Sequence, residues 1–356
     1  MRTAARPAGR LDALDGVRTV AILWVALYHY AVFWAPSGKG EALLPYGDAL
    51  AWIPGAGVGA LGVSMFFVVS GAVIALSLER SASALDFAVR RLLRLWPTLL
   101  LCGALTFAAT TWFGPEALRV DLPEFAISLA FLPPEHVGRA LGESWQWLDG
   151  AYWSLWVEVR FYGIAAILFW AARRRFLLAW TVFAVLCAAL QARFGADHAL
   201  AGLLFTEFQP FFTMGIALAA MRRSPTVEPG PLAVFLLGAV LALAYASETV
   251  GDRLALIGAI LLPALACLAR RPLPVLSWAP MTRIGRASYA YYLLHQNFGL
   301  ALLAALGPMD PAPAVAAMLA VQAAILGLSI LLTERVETPI RRGLTARLPR
   351  AGAVAA

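Results

Sequence analysis

The sequence has few of the residues that form disulfides or bind metals. Its three cysteines lie in separate apolar stretches, and none belongs to a CxxC pair. Buried cysteine behaves as a small hydrophobic residue, so this pattern predicts neither a disulfide nor a metal site. The four histidines also lack the spacing of metal ligands. We therefore expect no metal and no permanently bound cofactor. The residues concerned are Cys102, Cys187, Cys267, His29, His136, His198 and His295.

Charged residues are scarce as well, which excludes an ordinary soluble domain. They make up 14% of the 356 residues, and 61% are hydrophobic, whereas soluble domains have roughly 25% and 45–50%. The composition is typical of an all-α, polytopic membrane protein. About ten apolar windows are long enough to cross a bilayer as helices. They lie near 15–34, 57–78, 92–112, 151–172, 176–194, 203–221, 230–247, 254–269, 285–306 and 314–333.

The net charge of +7 is unevenly distributed along the chain. With ten spans, both termini and alternate connections lie on one side of the membrane, and most arginines outside the spans fall there. Because basic residues accumulate in cytoplasmic connections, we expect both termini to be cytoplasmic. The charge then reflects topology, and no nucleic-acid partner is expected. The basic residues on the opposite side are Lys39, Arg119, Arg139, Arg193 and Arg253.

One connection on the outer side is long, covering residues 113–150. Its apolar part, 125–132, is too short to span a bilayer. Long connections of this kind are often functional, so we interpret it as a re-entrant or interfacial segment that covers an outer site. We expect residues 1–342 to form a single transmembrane domain, followed by a short basic cytoplasmic tail over 343–356.

The first apolar window contains two ionisable residues, Arg18 and His29. Their spacing places them on one face of an α-helix, about 16 Å apart, which is too far for them to pair. Asp15 is a suitable N-cap, and the first helical turn, where Arg18 lies, favours a bound anion. Two alternatives remain open. Arg18 can extend to lipid phosphates, and a neutral His29 can bond to a neighbouring helix.

The fourth window brings a carboxylate to the expected depth of His29. Glu158 lies in YWSLWVEVRFY, about 10 Å below the outer boundary at the rise of an α-helix. A buried carboxylate needs a partner, and we expect it to pair with His29. Such a pair fixes the tautomer and raises the basicity of the imidazole, as a general base requires. The alternative is a structural polar pair between two helices.

Further polar residues accompany the apolar windows. Arg90, Arg91 and Arg94 lie within one turn of RRLLRLWP, where they either clamp phosphates or serve as ordinary cytoplasmic charges. The small residues of the second window, Gly62 and Gly71 among them, favour close helix packing. The residues expected to line a cavity are Ser70, Trp153, Ser154, Tyr289, Tyr292 and His295.

Six motifs resemble those of acyltransferase family 3, a group of bacterial membrane-bound acyltransferases. In order they are LDGVR with the later His29, SMFFVVSG, RRLLRLWP, WSLWVEVRFY, ASYAYYLLHQ and ERVETPIRR. Each motif alone is unspecific, but the ordered set covers nearly the whole chain.

This resemblance implies a multi-pass protein of the bacterial inner membrane. Such a protein transfers an acyl group, most often acetyl, from cytoplasmic acyl-CoA to a hydroxyl of an extracytoplasmic glycan or glycolipid. The resemblance makes Arg18 and His29 the essential pair, with Arg90, Arg91, Arg94 and Glu158 in support. A covalent acyl-enzyme, the identity of the acceptor, the acyl chain length and the oligomeric state stay open.

Two other classes of function compete with this interpretation. The first is a proton-coupled transporter that uses His29 and Glu158 as a proton relay. Transporters of this kind are commonly built from inverted repeats, and the sequence shows none. The second is a different membrane acyltransferase whose acceptor is a lipid or a peptide.

Overall fold

The computed structural model describes residues 12–245 and 249–345, and regular secondary structure within these ranges is entirely helical. The all-helical class is therefore confirmed. Most of the predicted tail lies outside the described residues. The α-helices are α1 Asp12–Tyr28, α2 Leu61–Arg80, α3 Ala84–Phe113, α4 Leu122–Leu129, α5 Pro134–Leu141, α6 Trp153–Ala172, α7 Phe176–Phe194, α8 Ala199–Leu203, α9 Gln209–Met221, α10 Pro229–Tyr245, α11 Val250–Leu268, α12 Ala279–Leu294, α13 Asn297–Ala305, α14 Pro311–Leu332 and α15 Thr338–Thr345.

Six helical segments in the described part of the chain are long and apolar enough to cross a membrane. One of them joins α6 and α7, which the sequence predicts as separate windows. Helices α9 and α10 are apolar but shorter, and the window at 285–306 is divided between α12 and α13. The six segments are Asp12–Phe33, Leu61–Arg80, Ala84–Phe113, Gly150–Phe194, Val250–Leu268 and Pro311–Leu344.

Helix α1 packs against α2, α11 and α12. The contacts are close because glycines face the neighbouring backbone. A Cβ atom on Gly62 of α2 or on Gly285 of α12 would collide with carbonyl groups of α1. Where α2 crosses α9, Gly71 and Gly215 approach each other in the same way. The predicted packing role of the glycines in α2 is confirmed.

Aromatic side chains fill the space between α2, α6, α7 and α9. The rings of Phe161 and Phe212 stack with centroids 4.0 Å apart, and Phe67 and Trp180 pack against them. Large aliphatic side chains point away from this core, and Ile167, for example, is 69% exposed. Exposed apolar surface of this extent is typical of a protein that contacts a membrane.

Two irregular segments meet at one end of α1. The helix continues into a π-helical turn, His29–Phe33, a form found frequently at functional sites. Opposite it, α12 ends at Leu294 and α13 begins at Asn297, so helical structure is interrupted at His295 and Gln296. The Tyr30 hydroxyl donates a hydrogen bond to the His295 carbonyl at 2.8 Å. The π-turn and the helix break are therefore held together.

Candidate active site

Three cavities follow one another along α1. The arginine cavity, about 390 Å³, is lined by Arg18, Arg94 and Arg286 together with other charged residues. The central cavity, about 80 Å³, shares Arg18, Arg94 and Tyr289 with it. The histidine cavity, about 1000 Å³, contains His29 and shares Val63 and Tyr292 with the central cavity. The three cavities are therefore neighbours in a row. Arg18 lines the first two, and His29 lines the third.

The arginine cavity carries a strong excess of positive charge. Two buried nitrogens, Nε of Arg18 and Nε of Arg91, lack a hydrogen-bond partner among the residues that the structure describes, although Arg91 also donates to Ser77 Oγ at 2.5 Å. Such unpaired buried donors are costly and would be satisfied by a bound anion. The ionisable residues lining the cavity are Arg18, Arg80, Arg91, Arg94, Arg283, Arg286, Arg341, Asp15, Glu334 and Glu337.

Arg90 is placed differently from the other two arginines of the RRLLRLWP motif. Its Nε donates to Asp86 Oδ1 at 2.6 Å, one turn earlier on α3. Arg91 and Arg94 line the arginine cavity, whereas Arg90 lies on another face of the helix. That all three bind one ligand stays a prediction, and the structure places Arg90 apart from the other two because neighbouring helical positions point about 100° apart.

Glu158 lies in the central cavity, and its partner is not the one expected. Ser70 Oγ on α2 donates a hydrogen bond to Glu158 Oε1 at 2.6 Å. Arg18 lines the same cavity as Glu158, whereas His29 lines the next one. The predicted pairing of Glu158 with His29 is therefore wrong. The prediction assumed that Glu158 and His29 lie at the same depth in the membrane. His29 instead begins the π-turn and faces the α12–α13 break.

The partner of His29 is a second histidine. His29 Nδ1 lies 3.0 Å from His295 Nε2, and the two rings are 5.0 Å apart between centroids. His295 is completely buried, whereas His29 is partly exposed to the histidine cavity. The ring of Phe33 packs against His29 edge-on at 5.4 Å. Sequence reasoning placed His295 in a cavity but missed its contact with His29, since 266 residues separate them.

The other predicted lining residues fall into two groups. The hydroxyl groups of Ser154 and Tyr292 form a hydrogen bond, with 2.8 Å between their oxygens, beside the central cavity. Tyr289 lines that cavity too, and its hydroxyl donates to the Leu95 carbonyl at 3.1 Å. Trp153 lies in the histidine cavity, where its ring packs against Phe208.

The segment 113–150 borders the histidine cavity. It forms the short helices α4 and α5, and Trp145 and Trp147 from its last part line the cavity. Trp147 Nε1 donates to Glu135 Oε1 at 3.2 Å. Across the cavity, Trp34 Nε1 and Gln296 Oε1 are buried without a hydrogen-bond partner among residues 12–245 and 249–345. The cavity thus combines aromatic faces with polar atoms that have no partner in the described part of the chain.

Asp149 holds the helix break next to the histidine pair, a role that the sequence did not reveal. It is completely buried, and its two carboxylate oxygens accept hydrogen bonds from the backbone N–H groups of Ala151, at 2.9 Å, and Asn297, at 2.8 Å. Burial raises the pKa of Asp149 to about 7, although these two hydrogen bonds lower it. The only signal in the sequence is an acidic residue just before an apolar window.

Arg160 lies away from the cavities. Its guanidinium group donates to the carbonyls of Gly202 and Leu203 and lies 4.7 Å above the Trp156 ring. The arginine therefore caps the end of α8, where helix carbonyls lack backbone partners. The hydrogen-bond partners of Arg160 thus differ from the Ser70 partner of Glu158.

The profile of the acyltransferase domain family matches residues 11–334. This match covers most of the chain and includes the lining residues of the three cavities except Glu337, Thr338 and Arg341. The chain belongs to acyltransferase family 3. The resemblance based on the six motifs is therefore confirmed.

Curated relatives of this family 3 protein carry consistent names. A candidate membrane-bound transacylase of Komagataeibacter xylinus, BcsY, is 30% identical over 46% of the chain and 38% of its own length. An O-acetyl transferase of Shigella phage Sf6 is 29% identical over 44% of the chain and 45% of its own length. The exopolysaccharide production protein ExoZ of Rhizobium meliloti is 29% identical over 83% of the chain and 93% of its own length.

The chain thus spans less than half the length of the first two relatives and nearly all of the third. No solved structure matches it.

Proposed function

We propose that this protein is an acyl-CoA-dependent O-acyltransferase of the bacterial inner membrane. It moves an acyl group, most often acetyl, from the cytoplasm to a hydroxyl of an extracytoplasmic glycan or glycolipid. About ten helices cross the bilayer, and both termini are cytoplasmic. The observation that carries the proposal is the series of cavities, with arginines at one end and a histidine pair at the other.

The donor's phosphates bind in the arginine cavity. Arg18, Arg91 and Arg94 present guanidinium groups at its boundary with the central cavity, and guanidinium pairs well with phosphate oxygens. The Nε atoms of Arg18 and Arg91 supply donors that have no partner in the described part of the chain. Arg90 supports this site only indirectly, through the first turns of α3.

The central cavity carries the slender arm of the donor. Its small volume, about 80 Å³, suits an extended chain better than a nucleotide or a sugar ring. Arg18 and His29 lie about 16 Å apart along α1, which separates the phosphate end from the reactive end. Glu158 and Ser70 line this passage, where their oxygen atoms accept hydrogen bonds from the polar N–H and O–H groups of the arm.

The chemistry takes place at His29. The imidazole removes the proton from the acceptor hydroxyl as the oxygen attacks the thioester carbonyl carbon. A carbon–oxygen bond forms, the carbon–sulfur bond breaks, and the CoA sulfur leaves with the proton returned by His29. This is the usual acid–base cycle of a single histidine in acyl transfer. It requires no metal, no redox partner and no covalent acyl-enzyme.

The acceptor enters the histidine cavity. Its volume of about 1000 Å³ accommodates sugar rings, and Trp34, Trp145, Trp147 and Trp153 offer aromatic faces to them. The names of the phage O-acetyl transferase and of the exopolysaccharide production protein support a saccharide acceptor.

The test is acyl transfer by purified protein in lipid nanodiscs supplied with radiolabelled acetyl-CoA and a panel of oligosaccharides and glycolipids. We expect CoA release that depends on an acceptor, together with label on that acceptor. A protein that binds and translocates acceptors without releasing CoA from any donor would be a transporter, contrary to the proposal.

A further inference from the structure

The hydrogen-bond partners of the two histidines determine which of their ring nitrogens carry hydrogen atoms. His295 Nδ1 lies 2.8 Å from the backbone carbonyl oxygen of Tyr292. A carbonyl oxygen only accepts, so Nδ1 of His295 must carry a hydrogen atom. That carbonyl is among the last of α12, which have no backbone partner within the helix. The helix break thus makes the Tyr292 carbonyl available to the side chain three residues later.

The surroundings of the His295 ring determine its charge. The ring is completely buried, and its two nitrogens bond to a carbonyl and to another imidazole rather than to a carboxylate. A buried cation without a negative partner is costly, so the resting ring is neutral and has one N–H group. With the hydrogen on Nδ1, Nε2 of His295 is an acceptor.

The position of the proton on His295 in turn determines which nitrogen of His29 is protonated. Its Nδ1 lies 3.0 Å from the acceptor nitrogen of His295, so Nδ1 of His29 must donate. The Val25 carbonyl, one turn earlier on α1, is a second acceptor near the ring. A neutral His29 then has no hydrogen on Nε2. The ring stays partly exposed to the histidine cavity, where that nitrogen offers its lone pair.

From this geometry we infer that His295 is a positioning residue that fixes His29 in the tautomer with its proton on Nδ1 and a free lone pair on Nε2. The use of that lone pair as a base rests on the proposed function, whereas the tautomer itself does not. The same hydrogen bond stabilises the positive charge that His29 gains when Nε2 takes the acceptor's proton. The carboxylate of a catalytic triad fills this orienting place elsewhere.

Several contacts hold His295 in the required orientation. Its carbonyl accepts hydrogen bonds from the Tyr30 hydroxyl at 2.8 Å and from Gln322 Nε2 at 3.1 Å. The ring stacks on Tyr291, with centroids 5.9 Å apart. These groups come from the π-turn, α12 and α14, so His295 joins three separate parts of the bundle.

The direct test is the ¹⁵N chemical shift of the His29 ring nitrogens in histidine-labelled protein in nanodiscs, without any substrate. The chain has four histidines, and the His29→Gln spectrum assigns the two signals of interest. We expect a protonated Nδ1 and an unprotonated Nε2. A proton on Nε2 of His29 would overturn the inference, whatever the activity of the protein.

Variants at position 295 test the positioning role. In His295→Gln the amide oxygen can accept from His29 Nδ1, whereas His295→Leu offers no acceptor. We expect His295→Gln to keep the tautomer and most of kcat, and His295→Leu to lose the tautomer and about 100-fold in kcat, with unchanged KM for the donor. Equal kcat in these two variants would contradict the role.

Tyr30→Phe is the matched control. It removes the hydroxyl that bonds to the His295 carbonyl but leaves the His295 ring in place, so the tautomer of His29 should persist. If the tautomer is as expected and wild-type protein still releases no CoA, the proposed function fails while the assignment stands.

Discussion

The arginine cavity and the histidine cavity lie at opposite ends of the same helix, yet they differ in almost every physical property. The first has seven arginines, three carboxylates and a volume of about 390 Å³. The second has a paired imidazole, several tryptophans and a volume of about 1000 Å³. One end is suited to holding a charged group, and the other to proton transfer beside a bulky polar ring. Binding and chemistry are therefore separated along α1, and substitutions at the two ends should affect different kinetic parameters.

The largest expected effect is at the histidine end. His29→Ala removes the base, so kcat should fall about 10²- to 10⁴-fold while the dissociation constant for acyl-CoA stays unchanged. Single-turnover kinetics and equilibrium binding measure the two quantities separately. His198→Gln, at an exposed histidine, should behave as wild type. Full turnover by His29→Ala would remove His29 as the base.

The opposite pattern is expected at the arginine end. Arg18→Ala removes charged hydrogen bonds worth about 1.5–3 kcal/mol, so the dissociation constant for acyl-CoA should rise about 10- to 100-fold with little change in kcat. Isothermal titration calorimetry measures this shift. Arg174→Ala, at an exposed arginine outside the cavities, is the matched control. An unchanged affinity in Arg18→Ala would place the phosphates elsewhere.

Between the two ends, a smaller effect is expected at the central cavity. Ser70→Ala removes the hydrogen bond to Glu158, which should cost about 1 kcal/mol of stability and lower the thermal unfolding temperature slightly. The loss in kcat should stay below about 10-fold, because the hydrogen-bond partner of the Ser70 hydroxyl is that carboxylate rather than a histidine. A loss in kcat as large as that of His29→Ala would instead indicate a nucleophilic serine.

The smallest effect is expected at the rim of the histidine cavity. Trp147→Ala removes an aromatic face worth about 0.5–1.5 kcal/mol, so KM for the acceptor should rise about 2- to 10-fold and KM for the donor should not change. Trp147→Phe should retain most of the acceptor affinity. A change confined to the donor would show that this tryptophan supports the fold rather than a sugar ring.

The sequence predicted the architecture well because its signals are local. Apolar windows mark the helices, and the glycines of α2 mark close crossings, since each depends on a few neighbouring residues. The exact number of spans is harder to predict, because α9 and α13 are short and α12 is broken from α13 by two residues. The separation of Arg18 and His29 follows from helix geometry alone.

The contacts within the site were predicted less well because they depend on side-chain direction. Depth along the helices suggested a Glu158–His29 pair, but the π-turn directs His29 toward α12 instead. Asp149 and His295 act through backbone groups that a helix break exposes. Such a break has no unambiguous mark in HQNFG, the sequence that contains it.

The central claim is that one donor molecule spans the two ends of α1. A structure determined with a non-reactive acyl-CoA analogue, in which a methylene group replaces the thioester sulfur, tests it most directly. We expect the phosphates to contact Arg18 and Arg94, the arm to pass through the central cavity, and the acyl carbonyl to lie beside Nε2 of His29. An analogue bound with its acyl group in the arginine cavity, or with its phosphates in the histidine cavity, would contradict it.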